Sequence, residues 1–299
     1  MPSEADPLQS LLARCTFPAP GTDVVCAVSG GADSLALLAL ARSAGLTVTA
    51  VHVDHGLRPG SVAEAEVVAA AARRFGAHFR AERVEVEPGS DLENRARQAR
   101  LRVLGPDAMT GHTADDQAET VLLNLLRGAG LAGIAAMEPG HRHPILGLRR
   151  AETGKLCAVL GLEPIDDPSN RDPRFVRNRL RHEVLPLLAD VADRDPVPLL
   201  VRTAAHARRA ADDIETMAAE LDPTDCRALR AVPVSLAQAA LRRWLTGIDG
   251  HPPSTSEIER VMDVVENRAT ACEITPSRRI SRSHQRLIVS SIETRRPSR

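Results

Sequence analysis

The chain has 299 residues, 43% of them hydrophobic and 2% aromatic, with a formal net charge of −1. That is apolar content enough for one large core or two smaller ones, and the charge total does not mark a nucleic-acid binder. With one Trp and no Tyr, stacking platforms are few, so any RNA contact must lean on arginine, which supplies all but one (Lys155) of the 38 basic residues. The five cysteines (Cys15, Cys26, Cys157, Cys226, Cys272) are scattered without a C-x-x-C, which argues against a zinc site, an iron–sulfur site or a disulfide framework. No N-terminal signal pattern and no apolar run near the ~20 residues of a membrane span are present. A cytoplasmic protein without a membrane is expected, and no protein partner is inferred.

In chain order, Val24–Val28 reads as a buried strand and Leu35–Ala41 as a helix. Between them stands Ser29-Gly30-Gly31-Ala32-Asp33-Ser34. A strand, a Gly-Gly turn and a helix start form an anion nest: the glycines let a ligand approach the backbone, and the free N–H groups of the first turn point at it. Ser29 and Ser34 add hydroxyl donors. Asp33 repels phosphate unless a cation lies between them, and Mg²⁺ is the hard ion that bridges carboxylate and phosphate oxygens. The plainer reading makes Asp33 the N-cap of the helix. No Walker loop is present, and no G-x-G-x-x-G follows the first strand, which argues against a dinucleotide fold.

Thr47–Val53 is β-branched and reads as a second strand, leading into His52-Val53-Asp54-His55-Gly56-Leu57-Arg58. His52 and Asp54 point to one side of a strand, an edge expected to pack against a nucleotide base and ribose. Ser61-Val62-Ala63-Glu64 is a capping box opening a helix to Phe75, and His78–Val86 reads as a third strand. Asp91 caps an arginine-rich helix through Leu104, on which Arg97 and Arg100 share a face suited to phosphate. Ala108-Met109-Thr110 is a short fourth strand, and Ala114–Arg127 a helix closed by Gly128. His112, Asp116 and Glu119 are spaced i, i+4, i+7 on that helix, so an imidazole and two carboxylates share a face to bind a cation, place an amine or act as base. Asp115 reads as an ordinary acid of a first helical turn.

This rhythm predicts an α/β fold, a parallel sheet with helices on both faces, with ligands beyond the carboxyl ends of the strands. Asp166-Asp167-Pro168-Ser169-Asn170 is a turn, followed by Arg174, Arg177, Asn178, Arg179 and Arg181, a dense positive run that suits an anionic polymer. From about Pro186 the pattern becomes helical (Leu199–Leu221, Ser235–Leu245, Ser256–Val265). It then ends in strand-like pieces, Arg279–Ser281 and Leu287–Val289, within a tail of seven Arg and one Glu from Ser277 onward. A catalytic domain over 1–190 and a smaller, mostly helical domain over 191–299 are expected.

Taken together, these strings resemble the tRNA(Ile)-lysidine synthetase family of PP-loop ATP pyrophosphatases. The matching pieces are Ser29–Ser34, His52–Arg58, Glu93-x-x-x-Arg97-x-x-Arg100, Gly111-His112-x-x-Asp115-Asp116-Gln117-x-Glu119-Thr120, Leu126-Arg127-Gly128-x-Gly130, Asp166-Asp167-x-Ser169-Asn170, and Arg177-Asn178-x-x-Arg181 with Pro186. The resemblance covers roughly 20–190 and implies a Rossmann-like, adenine-nucleotide alpha-hydrolase-like domain. It implies adenylation of C2–O of the wobble cytidine in a CAU-anticodon tRNA(Ile), then attack at C2 by free L-lysine with release of AMP. On that likeness Ala27, Ser29, Gly30, Gly31, Asp33, Ser34, His52 and Gly111 bind ATP, with Asp33 on Mg²⁺. Asp33, His112, Asp116 and Glu119 serve catalysis, and Arg97, Arg100, Arg177 and Arg181 hold tRNA or phosphate. Longer members continue into a further C-terminal RNA-binding domain, whereas this chain is expected to stop after its helical domain and basic tail, which is expected to contact the tRNA. The rival readings are another PP-loop tRNA-modifying enzyme such as a tRNA thiolase, an amide-forming ligase, and a non-catalytic nucleotide-binding protein.

Overall fold

The computed structural model describes residues 7–54, 61–84, 99, 101–275 and 278–291. Its chain forms two compact units, Met1–His206 and Ala207–Arg299, dividing within a long helix, Val197–Ala218.

After a short helix α1 (Pro7–Leu12), the first unit builds a parallel sheet from β1 (Asp23–Ala27), β2 (Thr47–Asp54) and β3 (His78–Arg83), in that order across the sheet. Cys26 lies opposite Ala50, and Val51 opposite Arg80. The predicted fourth strand is reduced to one parallel bridge, Met109 to Cys26, on the other edge of β1. Two hydrogen bonds close it, Ala27 N–H to Met109 O at 2.9 Å and Met109 N–H to Val25 O at 2.8 Å. The chain therefore steps outward from β1 to β3 and then returns to the far side of β1. That reversal makes a crevice at the carboxyl ends of β1 and the Met109 strand, where open α/β sheets bind ligands.

Alternation along the strands splits the core between two faces. Cys26, Val48 and Ala50 pack with α2 (Ala32–Ser43), while Val51 packs with Leu104 and Ala108, joined by Val25, Ala27 and Val53. Helix α2 is buried from Ser34 to Ala41. A helix apolar on every side must be covered on every side. The sheet covers one side of α2, and Leu156 and Cys157 of a later helix, Arg150–Val159, join the same core. The helix α3 (Ser61–Arg74) follows β2, and a helical stretch ends at 101–104. The remainder of the arginine-rich helix, with Arg97 and Arg100, lies outside the described residues, as do His55–Gly60 and Glu93.

The second half of this unit is helical: α4 (Ala114–Leu126), α5 (Leu131–Ile134), α6 (Arg150–Val159), a 3₁₀ turn (Pro168–Arg171), then α7 (Val176–Arg179), a π-helical turn (Leu180–Val184) and α8 (Leu185–Ala192) in unbroken succession. Pro186 explains the π turn. It lacks an N–H, and its ring crowds the carbonyl four residues back, which forces the helix open there.

The second unit contains α10 (Cys226–Arg230), α11 (Val234–Asp249) and α12 (Thr255–Val265), after the helix α9 (Val197–Ala218) on which the units divide. It also holds an antiparallel meander, β4 (Ala271–Thr275), β5 (Arg278–Ser283) and β6 (Arg286–Ser291). The sheet extends the strand-like pieces read from the sequence and adds β4, which that reading did not contain. His284 and Gln285, both at positive φ (47° and 65°), make the two-residue β5–β6 turn, the twist such hairpins prefer. Leu241, Leu245, Ile258, Val261, Ile274, Ile280 and Leu287 form its core. Among the described residues no helix is long and apolar enough to cross a membrane.

Candidate active site

The Ser29–Ser34 loop sits at the end of β1 in the crevice just described. Gly30 has φ +90°, a conformation glycine adopts without strain, and its carbonyl accepts from Ile165 N–H at 3.0 Å. A Cβ on Gly30 would meet Ile165 Cδ1 at 2.3 Å. Ser34, buried, shapes the loop from inside: its hydroxyl donates to Gly31 O (2.9 Å) and accepts from Ser29 N–H (3.2 Å). Gly31 is the N-cap of α2. Asp33, within the first turn, turns its carboxylate away from the helix end to Thr153 Oγ1–H and Arg150 of α6. The plain N-cap reading of Asp33 is thereby excluded. Gly111, at the end of the Met109 strand, abuts the same turn, where a Cβ would fall 2.9 Å from the Asp33 carbonyl carbon and oxygen.

His52 lies on the α2 side of β2 and is buried. Its Nδ1 is 3.1 Å from Val28 O, so the neutral ring carries its proton there. Nε2 is buried, and among the described residues no group hydrogen-bonds to it.

On α4, Asp116 and Glu119 come together as their spacing predicts. Asp116 Oδ2 accepts from the backbone N–H and the hydroxyl of Thr113 (both 2.8 Å), while Oδ1 accepts from Arg150 Nη2 at 2.7 Å. Glu119, fully buried, is gripped by Arg181 (2.7 and 3.1 Å) and Arg150 (3.2 Å). One guanidinium, Arg150, thus touches three carboxylates: Asp33 at 3.4 Å, Asp116 and Glu119. His112 takes a different direction. It meets Thr110 Oγ1 (2.7 Å) and His143, whose ring centroid is 5.0 Å away in an edge-on arrangement. Asp115 belongs to the scaffold: the Arg149 fork donates to both its oxygens (3.0 and 3.1 Å), and Arg150 N–H adds a bond at 2.8 Å.

Charge divides these acids. Burial pushes the Asp33 carboxyl above the ordinary aspartate range, and the neighbouring Asp116 charge adds to it against the opposing bonds from Thr153 and Arg150. Burial also opposes ionisation of Asp116, but Arg150 and the Thr113 donors outweigh it and hold this carboxyl below its usual value.

The basic run behaves differently from its sequence. Arg171 pairs with Asp166, Arg174 with Asp172, Arg179 with Glu183, and Arg181 with Glu119 and Asp116. Arg177 is half-buried on α7. Asn178 pins the preceding turn through Ser169 O (2.7 Å) and Asp172 O (2.9 Å). The run is therefore largely neutralised by its own acids. Sequence reasoning missed Arg150, Thr153 and His143. The available signal was a cation at the first position of α6, where the helix dipole disfavours positive charge unless acids face it.

The sequence matches the PP-loop domain over residues 5–188 and the TilS substrate binding domain over residues 225–288. It is 44% identical over 261 residues to tRNA(Ile)-lysidine synthase of Nocardia farcinica, covering 82% of each chain. The same-named protein of Rhodococcus jostii is 42% identical over 266 residues, covering 83% of this chain and 81% of that one. The chain belongs to the tRNA(Ile)-lysidine synthase family. A solved structure, the U34-tRNA thiolase NcsA from Methanococcus maripaludis with its [4Fe-4S] cluster, superposes with a TM-score of 0.52 at 15% identity over 67% of this chain and 77% of that one. At that identity the likeness is one of fold alone, the fold this synthase family shares with other PP-loop enzymes.

Two expectations follow from the geometry. Gly111→Ala drives a methyl into the backbone of the loop turn, so the KM for ATP rises at least about tenfold while the circular dichroism spectrum is kept. An unchanged KM would separate Gly111 from the nucleotide. The second concerns pH. Asp33 attracts a cation only when ionised, and its raised pKa means that it takes up a proton at a higher pH than an ordinary aspartate. The acid limb of kcat/KM for ATP therefore lies above the ordinary aspartate range. Asp116→Asn removes the neighbouring negative charge and moves that limb down, and a limb that stays put would assign it to another group.

Proposed function

We propose that this ATP-dependent ligase forms lysidine on tRNA(Ile). ATP adenylates C2–O of the wobble cytidine of the CAU anticodon, and pyrophosphate leaves. The ε-amine of free L-lysine then attacks C2, the C2–O bond to AMP breaks, and the amine loses its proton. The observation that carries this reading is the meeting of the nest carboxylate, Asp33, with two further acids, Asp116 and Glu119, around one cationic head group.

Ser29, Gly30, Gly31, Ser34 and Gly111 cradle the triphosphate, with Ala27 and His52 at the ends of the neighbouring strands toward the nucleoside. Asp116 and Glu119 attract the lysine ammonium and, once it is held, accept its proton. His112 stands just before α4 with Thr110 and His143 as its partners, and serves activation of the base. The donor set fits Mg²⁺: Asp33 and the loop hydroxyls are hard oxygen donors, and a cation already rests against Asp33. Asp33 would hold the metal, which would neutralise the departing pyrophosphate. Arg97, Arg100 and Arg177 take tRNA phosphate. Arg181 serves the acids, a change from the phosphate role its sequence position suggested.

We read 1–190 as carrying catalysis and 191–299 as contacting tRNA, with the compact units dividing within α9 at His206/Ala207, and the reaction belongs in the cytoplasm, where its substrates are. Incubation with ATP, labelled lysine and tRNA transcripts tests the reading. Label in the tRNA with equimolar AMP is expected, and it is lost when the wobble cytidine is replaced. ATP bound without AMP would leave a nucleotide-binding protein, and AMP formed without label in tRNA would leave a different acceptor chemistry.

A further inference from the structure

Arg150 lies outside the strings singled out in the sequence, yet it lies between the two halves of the site. Its guanidinium joins Asp33 of the phosphate nest to Asp116 and Glu119 of α4. The three contacts differ in strength. Asp116 is reached at 2.7 Å and Glu119 at 3.2 Å, but Asp33 only at 3.4 Å. Asp33 has a second donor in Thr153, and Glu119 a second cation in Arg181. Arg150 can therefore release Asp33 while staying anchored on Asp116, leaving no carboxylate bare. Its position at the start of α6 is set by these acids, because the helix dipole there opposes it. Its side chain keeps 27% of its exposure, an open route for motion.

We propose that Arg150 holds the place of a divalent cation on Asp33 in the nucleotide-free protein and yields it only to a metal that arrives already bound to a nucleotide. The electrostatics give the selectivity. A bare divalent ion approaching Asp33 meets a guanidinium beside it and is repelled. A metal–ATP complex carries net negative charge, so the same guanidinium attracts it, and phosphate offers Arg150 a new partner as it leaves Asp33. This rests on the reading of Asp33 as the metal carboxylate, and it makes Arg150 a positioning residue that prevents unproductive metal binding.

The test uses the full chain with Mn²⁺ as probe, followed by electron paramagnetic resonance, with neither lysine nor tRNA present. Its failure is thereby separate from failure of the lysidine reading. The unsubstituted protein is expected to bind bare Mn²⁺ weakly, and Arg150→Gln to bind it at least about tenfold more tightly, since an adjacent guanidinium is worth that much or more to a carboxylate. Asp33→Asn in the Arg150→Gln background abolishes the gain. No gain, or a gain that survives Asp33→Asn, overturns the proposal. A second measurement needs no substitution. In protein labelled with ¹⁵N-arginine, the Arg150 Nε–H resonance is expected to shift with Mg²⁺ plus a non-hydrolysable ATP analogue and to stay in place with Mg²⁺ alone. A resonance that moves with Mg²⁺ alone, or with neither, also overturns it.

Discussion

Asp33→Ala is expected to abolish AMP formation in a chain that still folds. The carboxylate is the sole acid of the Ser29–Ser34 loop, so on the proposed reading its loss leaves that loop no anion to hold a metal on the departing pyrophosphate. Charge neutralisation of a departing phosphate is worth several kcal/mol, so the rate falls by at least about a thousandfold, roughly 4 kcal/mol. Stability changes little, by about 1 kcal/mol or less, because burial already disfavours this charge. Thr153 Oγ1 retains the Arg150 carbonyl at 2.8 Å, and Arg150 retains Asp116 and Glu119. Released AMP measured at saturating Mg²⁺, beside a thermal melt, checks both halves. Undiminished AMP would remove Asp33 from the chemistry.

Glu119→Ala has the opposite signature, a large loss of stability. Glu119 is fully buried and is the main partner of Arg181. Removing one member of a buried ion pair strands the other, which costs about 3–5 kcal/mol. Glu119→Gln keeps an acceptor for Arg181 and loses less. The paired change Glu119→Leu with Arg181→Met recovers stability without activity, since it deletes the charges together. The one tryptophan, Trp244, lies in the second unit, so unfolding of the first is followed by circular dichroism in urea rather than by fluorescence. A Glu119→Ala midpoint equal to that of the unsubstituted chain would mean that Arg181 finds another partner.

Residues close in sequence were legible, and residues brought together by the fold were not. β1, α2, β2 and α4 stand within a few residues of where apolar runs, glycines and caps put them, because each is specified locally. The fourth strand shrank to Met109, since the next residue, Thr110, gives its N–H to Arg142 O instead of to β1. β4 went unread: Cys272 and Glu273 interrupt its apolar pattern, and it forms only by pairing with β5. The change of pattern near Pro186 marks the π turn and α8, while the compact units divide at His206/Ala207. In the site, Asp116 and Glu119 share a helix face and were found together. Arg150 escaped because its partners lie 31, 34 and 117 positions away.

The π turn at Leu180–Val184 has a consequence for how this sequence can change. It amounts to one residue more than a regular helix would hold. Deleting a single position there would restore ordinary winding and keep the helix faces on either side in register, because the extra residue is absorbed within the wide turn. Arg181 lies inside that turn, so its fork on Glu119 is the contact such a cut would disturb, leaving an interior carboxylate without its nearest cation. Length, proline and acid are thus tied together, and a shortened version of this stretch is tolerable only alongside a neutral residue at position 119.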